Sequence, residues 1–585
     1  MLWTPGWQRA RDAKATERRI ALSLGKKYLE EYGPDLTPTL ESAILSSSAV
    51  EIVDKIKTRQ PGWNAENVML TFIRSSIRVN EYTNALTEIM YAHALKDAQD
   101  LDKEFEKTGQ IVGPLHGVPV SLKDMVNVKG VDSTIGFTHS TNKLAEEDAS
   151  VTKVIRRAGG IPFVKTNVPQ TMLSFECANP LFGATNNPFD ASRTPGGSSG
   201  GEAALLAADG SPIGIGSDVG GSLRIPAHFS GCYALKPCAG RFSSRGCRSS
   251  NPGTEVVKAS LGPMGRCVSD VELMTRVQLD ASDELARTEG VMPLRYREVE
   301  LPEKLKFGFF RTDGFCHASP ACERAVLETV DALRRQGHEC IEFEPPNPLE
   351  AMELFVALTS AGRYSTLLAG LQGDPQESSL WLVTLGSRIP SPVRYALAWL
   401  IENVAGDEKL ARLLRASRGK SVSELQEWQY KRDTFVSKAR RELWEHHAFD
   451  AVICAPQAVP ALKHGQTWNL SPLSIGTILW NIVDSSVGLV PVTFVDGVVD
   501  ALSDPWRARQ AASPGAKLFE ARVFGPGGIY DAKEMEGLPV GVQIVGRQWD
   551  EERVVELMKV VDGALGPRGF GPGEFTKRRK AQDAV

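Results

Sequence analysis

Apolar and polar positions change rhythm along the chain. Up to about residue 70 the pattern is helical and largely polar. In "TPTLESAILSSSAVEIVDKIKTRQ" a threonine stands at a helix start, and Leu40, Ile44, Ala49 and Ile52 fall roughly on one face. From about residue 110 the texture becomes short β-branched runs framed by glycine and proline: "HGVPVSLKD", "GIPFVKTN", "SPIGIGSD", then far downstream "GLVPVTFV" and "GLPVGVQIVG". Helical stretches lie between them, such as "EEDASVTKVIRRAGG" with its acidic start and Gly-Gly stop. Mostly apolar strands alternating with helices predict an α/β fold, a sheet with helices on its faces.

One later stretch breaks this rhythm. In "SSLWLVTLGSRIPSPVRYALAWLIENVAG", residues 378–406, Pro390 and Pro392 divide two short apolar segments. On the second, Val393, Leu397, Leu400, Ile401 and Val404 share a stripe, with Tyr395 and Trp399 on another face beside Arg394. A helix pair apolar nearly all round, edged by arginines and aromatics, suits a membrane interface; the competing arrangement is a buried or dimer-interface pair. Residues 500–536 form a long, poorly patterned excursion. No repeat and no clean linker interrupts the chain, which divides into a helical region 1–70, a main domain 71–570 and a polar tail 571–585.

Composition narrows the function classes. The 585 residues are 42% hydrophobic and 24% charged, an ordinary globular balance, and a net charge of −4 offers no basic face for nucleic acid. The one basic run, "KRRK" at Lys577–Lys580, reads as a solvated tail. Nine cysteines without C-x-x-C spacing read as reduced thiols. There is no signal-like h-region and no run of ~18 apolar residues. The expected location is intracellular, cytoplasmic or peripheral on a membrane.

Candidate chemistry gathers in "TPGGSSGGEAALLAADGSPIGIGSDVGGSLRIP", residues 194–226. No lysine follows either glycine cluster as a P-loop requires. "GGSSG" does match a nucleophile elbow, which then needs a histidine. His317, His338, His446, His447 and His464 are available, none in a glycine-framed or strand-end setting. An alternative needs no histidine: a buried lysine whose ammonium is disfavoured by desolvation can serve as base. Lys123 closes the apolar run Val118, Val120, Leu122 and is placed for it. One serine would then carry the proton and another attack, while successive amides around the second glycine cluster receive the oxyanion.

"GVPVSLKD", the 194–226 block and "LKP" together resemble the amidase signature family, in its order and spacing, from roughly residue 70 to 565. "GIPFVKTNVPQTMLSFECANPLFGATNNPF", "TILWNIVDSSVGLVPVTFV" and "LPVGVQIVG" resemble most the animal fatty acid amide hydrolases. The resemblance implies the amidase signature fold, a large mixed β-sheet core covered by helices on both faces, and makes 71–570 the catalytic domain. It makes Lys123 the general base and acid, Ser198 the bridging serine at an unusual cis peptide, and Ser222 the acyl-forming nucleophile. It places oxyanion donors on the amides of Val219, Gly220, Gly221 and Ser222, and Met172 at the substrate carbonyl. Asp218 and Arg224 would hold the loop. Ser199 reads as the cap of the helix that follows and Glu202 as structural; Cys177, Cys232 and Cys238 read as packing.

The implied reaction is amide C–N hydrolysis without metal or organic cofactor. The expected substrates are fatty acid amides, N-acylethanolamines and primary amides, with 378–406 as a membrane-facing cap or a homodimer contact. Two other functions share the fold: a short-chain or aryl-acyl amidase, and an amidotransferase subunit feeding ammonia to a partner.

Overall fold

The computed structural model describes residues 5–34 and 36–583. Eleven strands form one sheet: β1 (Leu86–Ile89), β2 (Pro119–Lys123), β3 (Ile161–Thr166), β4 (Ile213–Asp218), β5 (Tyr233–Lys236), β6 (Ser260–Gly265), β7 (Lys306–Phe309), β8 (Glu339–Glu342), β9 (Ala451–Cys454), β10 (Val487–Phe494) and β11 (Pro539–Val545). Their spatial order is β1-β3-β2-β4-β6-β5-β10-β11-β9-β7-β8. β2 lies parallel to both β3 and β4, while β4 pairs antiparallel with β6, so the sheet is mixed. All five apolar runs identified from alternation become buried strands of this sheet.

This topology places the chemistry. β2 ends at Lys123 and its parallel neighbour β4 ends at Asp218, so both carry the chain to the same edge. Crevices beyond the carboxyl ends of parallel strands are where open α/β sheets bind ligands. Two large apolar cores lie toward opposite ends of the sheet, one holding Leu122 and Phe163, the other Phe307 and Val542. A small third cluster, with Leu206, Leu223, Ala227 and Met264, carries the helices Gly200–Ala207 and Arg224–Ser230 that follow the two Gly-Ser clusters.

The regional plan changes at both ends. The boundary at residue 70 falls inside the helix Ala65–Thr83, and Ile44, Ile52 and Phe72 share one core with Val118 and Phe163. Lys14, buried, pairs with Asp132 at 2.8 Å and Glu88 at 2.9 Å. The polar helix Gly6–Tyr32 that carries Lys14 gains its stability by docking, and the described residues up to 70 pack against the main domain. Residues 571–583 are not wholly solvated, although Lys577, Arg579 and Lys580 of the basic run are exposed as expected. Glu574–Asp583 is a helix whose start is held by Asp209, which accepts from the amides of Gly573 at 2.8 Å and Thr576 at 3.1 Å. Arg578 stacks on Phe494 and Arg579 on Tyr82, each 4.1 Å from the ring centroid. The outermost residues of both regions, 1–4 and 584–585, lie outside the described residues.

Residues 378–406 form the helices Trp381–Arg388 and Ser391–Asn403, with Pro390 and Pro392 at the break. The buried alternative is overturned: Tyr395 is 49%, Trp399 56% and Val404 73% exposed, although Leu397 and Ile401 also border an internal cavity. The excursion 500–536 holds two helices, Asp504–Ala512 and Lys517–Phe524, that bury Trp506, Phe519 and Phe524 in the core. It braces the far end of the helix pair, since Leu518 N donates to Asp407 Oδ2 at 2.9 Å. No helix among the described residues is long and apolar enough to cross a membrane.

Candidate active site

Lys123, fully buried, reaches three hydroxyls: Ser198 Oγ at 2.7 Å, Ser217 Oγ at 2.8 Å and Ser199 Oγ at 3.0 Å. Burial pushes its amine down to about 7, against the opposing pull of Asp218, Cys177 and Glu202. A neutral amine donates two protons and accepts one. Ser199 Oγ can place its own proton on Ser217 O, 3.3 Å away. With Ser199 and Ser217 taking the two N–H bonds, Ser198 is the hydroxyl able to hand its proton to the lysine. The Gly197–Ser198 peptide is cis, as the family resemblance implied.

The second cluster turns on a left-handed glycine. Gly221 has φ +125, and a Cβ there would lie 2.3 Å from Thr477 Oγ1, so no other residue fits. Asp218 and Arg224, both fully buried, frame the turn. Asp218 accepts from Gly221 N at 2.8 Å, Leu223 N at 3.1 Å and Arg224 Nε at 3.1 Å. Burial alone would raise the Asp218 pKa. The Arg224 charge and hydrogen bonds, with Lys236 and Asn481, override that and hold it well below the usual carboxylate range. Arg224 goes on to Gln543 Oε1 at 2.7 Å and Asn481 Oδ1 at 2.6 Å, fastening the loop to the distal strands.

The four amides expected to receive the oxyanion differ in their bonding. The Gly221 N–H is committed to Asp218, whereas the amides of Val219, Gly220 and Ser222 have no hydrogen-bond partner among the described residues. Those three line the cavity, and Gly221 does not. The two serine clusters meet through Ser199 N, which donates to Ser222 O at 3.1 Å. Ser222 Oγ makes no hydrogen bond among the described residues.

Ser199 stands at the start of the helix Gly200–Ala207 but makes no side-chain cap; the lysine claims its hydroxyl. Glu202 is structural as expected. It accepts from Ser121 Oγ and from Thr166 Oγ1 at 2.6 Å, tying β2 to β3, and burial raises its pKa to about 7. Burial pushes the Cys177 thiol up to about 12 and raises Cys232 and Cys238 as well, which suits packing and not nucleophilic attack. The histidine-dependent elbow finds no support: His317 is bonded to Glu520 and His464 to Glu176, each at 2.7 Å, and no histidine bonds Ser198 or Ser222.

Sequence reasoning missed Ser217, which lies inside the 194–226 block, after Gly216 and one residue before the end of a buried strand, with no role assigned to it there. The charged amine has three N–H donors, so removing one acceptor destabilises the ammonium. Ser217→Ala is expected to lower kcat roughly tenfold, the value of a lost hydrogen bond to a charged group. The acid limb of its pH–rate profile should move to lower pH, and Ser217→Thr should restore both. An unmoved limb would mean that Ser217 only fills space.

Met172 has φ +59, follows Thr171 at φ +68, and lines a cavity of about 390 Å³ together with Ser222. From there the walls are apolar: Phe175, Ile225 and Phe355, then Trp381, Leu385 and Ile401 of the exposed helix pair. Ser198 is not on the wall.

The amidase family model matches residues 67–555. The chain is 34% identical to Fatty-acid amide hydrolase 1 of Sus scrofa, over 91% of this chain and 88% of that one. It is 30% identical to an acetamidase of Aspergillus oryzae, over 92% and 93% respectively. A solved fatty acid amide hydrolase superposes with a TM-score of 0.80 at 27% identity, covering 97% of this chain and 91% of that one.

Proposed function

The chain belongs to the amidase family and hydrolyses amide C–N bonds; on that premise we propose that it is a serine hydrolase of fatty acyl amides, working at a membrane surface through Lys123, Ser198 and Ser222. Neutral Lys123 takes the Ser198 proton as Ser198 takes that of Ser222, and Ser222 attacks the carbonyl. The amides of Val219, Gly220 and Ser222 receive the oxyanion, with Met172 beside the substrate carbonyl. The relay then runs backward to protonate the leaving nitrogen, and water deacylates Ser222 by the same route.

The observation that carries the fatty substrate is the cavity. It is apolar from the reacting serine to the helix pair, and its far wall is the same pair that exposes Tyr395, Trp399 and Val404. An interfacial helix pair of this kind buries its aromatics at the headgroup boundary. The name of the Aspergillus relative supports a short-chain reading, but a small amide leaves this cavity mostly unfilled. An amidotransferase subunit has no use for an apolar tunnel.

The test is kcat/KM for matched primary amides and ethanolamides from acetyl to arachidonoyl. We expect a steep rise with acyl length, together with flotation on phospholipid vesicles that weakens in Trp399→Ser. A flat profile would retain the chemistry and discard the fatty substrate. A stable dimer that does not float would turn the exposed helices into a subunit contact.

A further inference from the structure

The helix pair that walls the cavity is fastened to the catalytic loop by one side chain. Gln170 is 1% exposed, and both ends of its amide serve the stem leading into the pair. Its Nε2 donates to Pro375 O at 3.0 Å, and its Oε1 accepts from Glu377 N at 2.9 Å. These are the only hydrogen bonds between residues 167–175 and residues 370–406 among the described residues.

The backbone of Gln170 runs straight into the other end of the cavity. Thr171 and Met172 adopt left-handed conformations unusual for non-glycine residues, and Met172 N donates to Pro169 O at 2.9 Å. Such a conformation persists only where its surroundings hold it. The stem has a second fastening, to a different loop: Asp374 accepts from Thr138 N at 2.9 Å and from Thr138 Oγ1. At the far end of the pair, Asp407 accepts from Leu410 N and Leu518 N, each at 2.9 Å. Of these anchors, Gln170 alone joins the helix pair to the residue beside the substrate carbonyl.

We propose that Gln170 is a specificity-determining positioning residue, setting the register between the helix pair and Met172 so that a long acyl chain held by the helices presents its carbonyl to Ser222. The proposal rests on the fatty acyl amide reading. A long chain touches both ends of the cavity and reports any mismatch between them. A short acyl group touches only the catalytic end and does not. Misplacement of a reacting carbonyl by an ångström is enough to change rates substantially.

The experiment compares wild type with Gln170→Met, which keeps the volume without the hydrogen bonds, and with Gln170→Asn, which keeps an amide one methylene short. kcat and KM are measured for acetyl, octanoyl and oleoyl amides, with melting temperature and fluorophosphonate labelling of Ser222 as controls. The expected result is a loss of roughly tenfold or more in kcat for the oleoyl amide, with the acetyl amide changed by less than about twofold. An equal loss at every chain length would overturn the proposal, because Gln170 would then brace only the catalytic loop. No loss at any length would overturn it as well. A wild-type profile flat in chain length would instead defeat the fatty acyl reading. If the methionine variant does not fold, the asparagine variant carries the same comparison.

Discussion

Ser222→Ala is expected to abolish acyl-enzyme formation and to lower kcat by roughly a millionfold, as removal of the nucleophile does in other serine hydrolases. The proposal assigns the attack to Ser222 and not to its rival Ser198. Both are serines in glycine-rich turns, and only Ser198 satisfies the elbow pattern. Yet Ser198 is 2% exposed, lies off the cavity wall and is held by the buried lysine, whereas Ser222 is half-buried on the wall beside free amides. A fluorophosphonate probe followed by peptide mass spectrometry checks this directly. The label should sit on Ser222 in the wild type and be absent from Ser222→Ala. A label on Ser198 would exchange the two roles. Because Ser222 Oγ makes no hydrogen bond here, the alanine variant should melt within a degree or two of wild type, the usual outcome for substitutions away from stabilising contacts.

The second large effect concerns the base. With the Lys123 amine at about 7, kcat/KM should rise with pH through an inflection near that value, since the neutral form is the active one and is lost as pH falls. An unperturbed lysine, at about 10.4, would place the inflection more than three pH units higher. Lys123→Ala is expected to lower kcat/KM by roughly 10²–10⁴-fold, the range for a positioned general base, and to erase this limb. The loss should be larger for an amide than for the matching ester, whose alkoxide leaves without needing a proton. A limb near 7 that survives in Lys123→Ala would assign the titration to another group. Glu202, also at about 7, is the first candidate; it sits behind the lysine, tying β2 to β3.

Lys123, Ser198 and Ser222, the residues proposed to react, stand out in the sequence because each belongs to a contiguous stretch whose residue types have few other uses. A run of glycines around two serines has a backbone reason as well as a chemical one, and the Gly221 turn bears this out. The strands were legible for the same kind of reason: short apolar runs between breakers have period and length on their side. Ser217, Gln170 and the committed amide of Gly221 were not. Each acquires its role from a partner that local pattern does not announce: Ser217 from a lysine far upstream, Gln170 from a stem some 200 positions downstream. Gly221 gives its amide to Asp218, the carboxylate expected to hold the loop but not to take this particular N–H.

The two ends of the chain show the same division. Polar, basic composition predicted a solvated run at Lys577–Lys580, and its lysines are exposed, but Asp209 supplies a helix start just before it and aromatic faces from distant segments take the arginines. Likewise the helix pair at 378–406 could be read as apolar all round, and whether that surface was buried or exposed depended on what packed against it. The sequence by itself determined the α/β class, the amidase family and the apolar character of the helix pair, because these follow from period, composition and short-range spacing. Only the tertiary structure decided which amides stay free, which hydroxyls surround the amine and how the cavity is closed, because hydrogen-bond capacity is allotted by neighbours in space rather than along the chain.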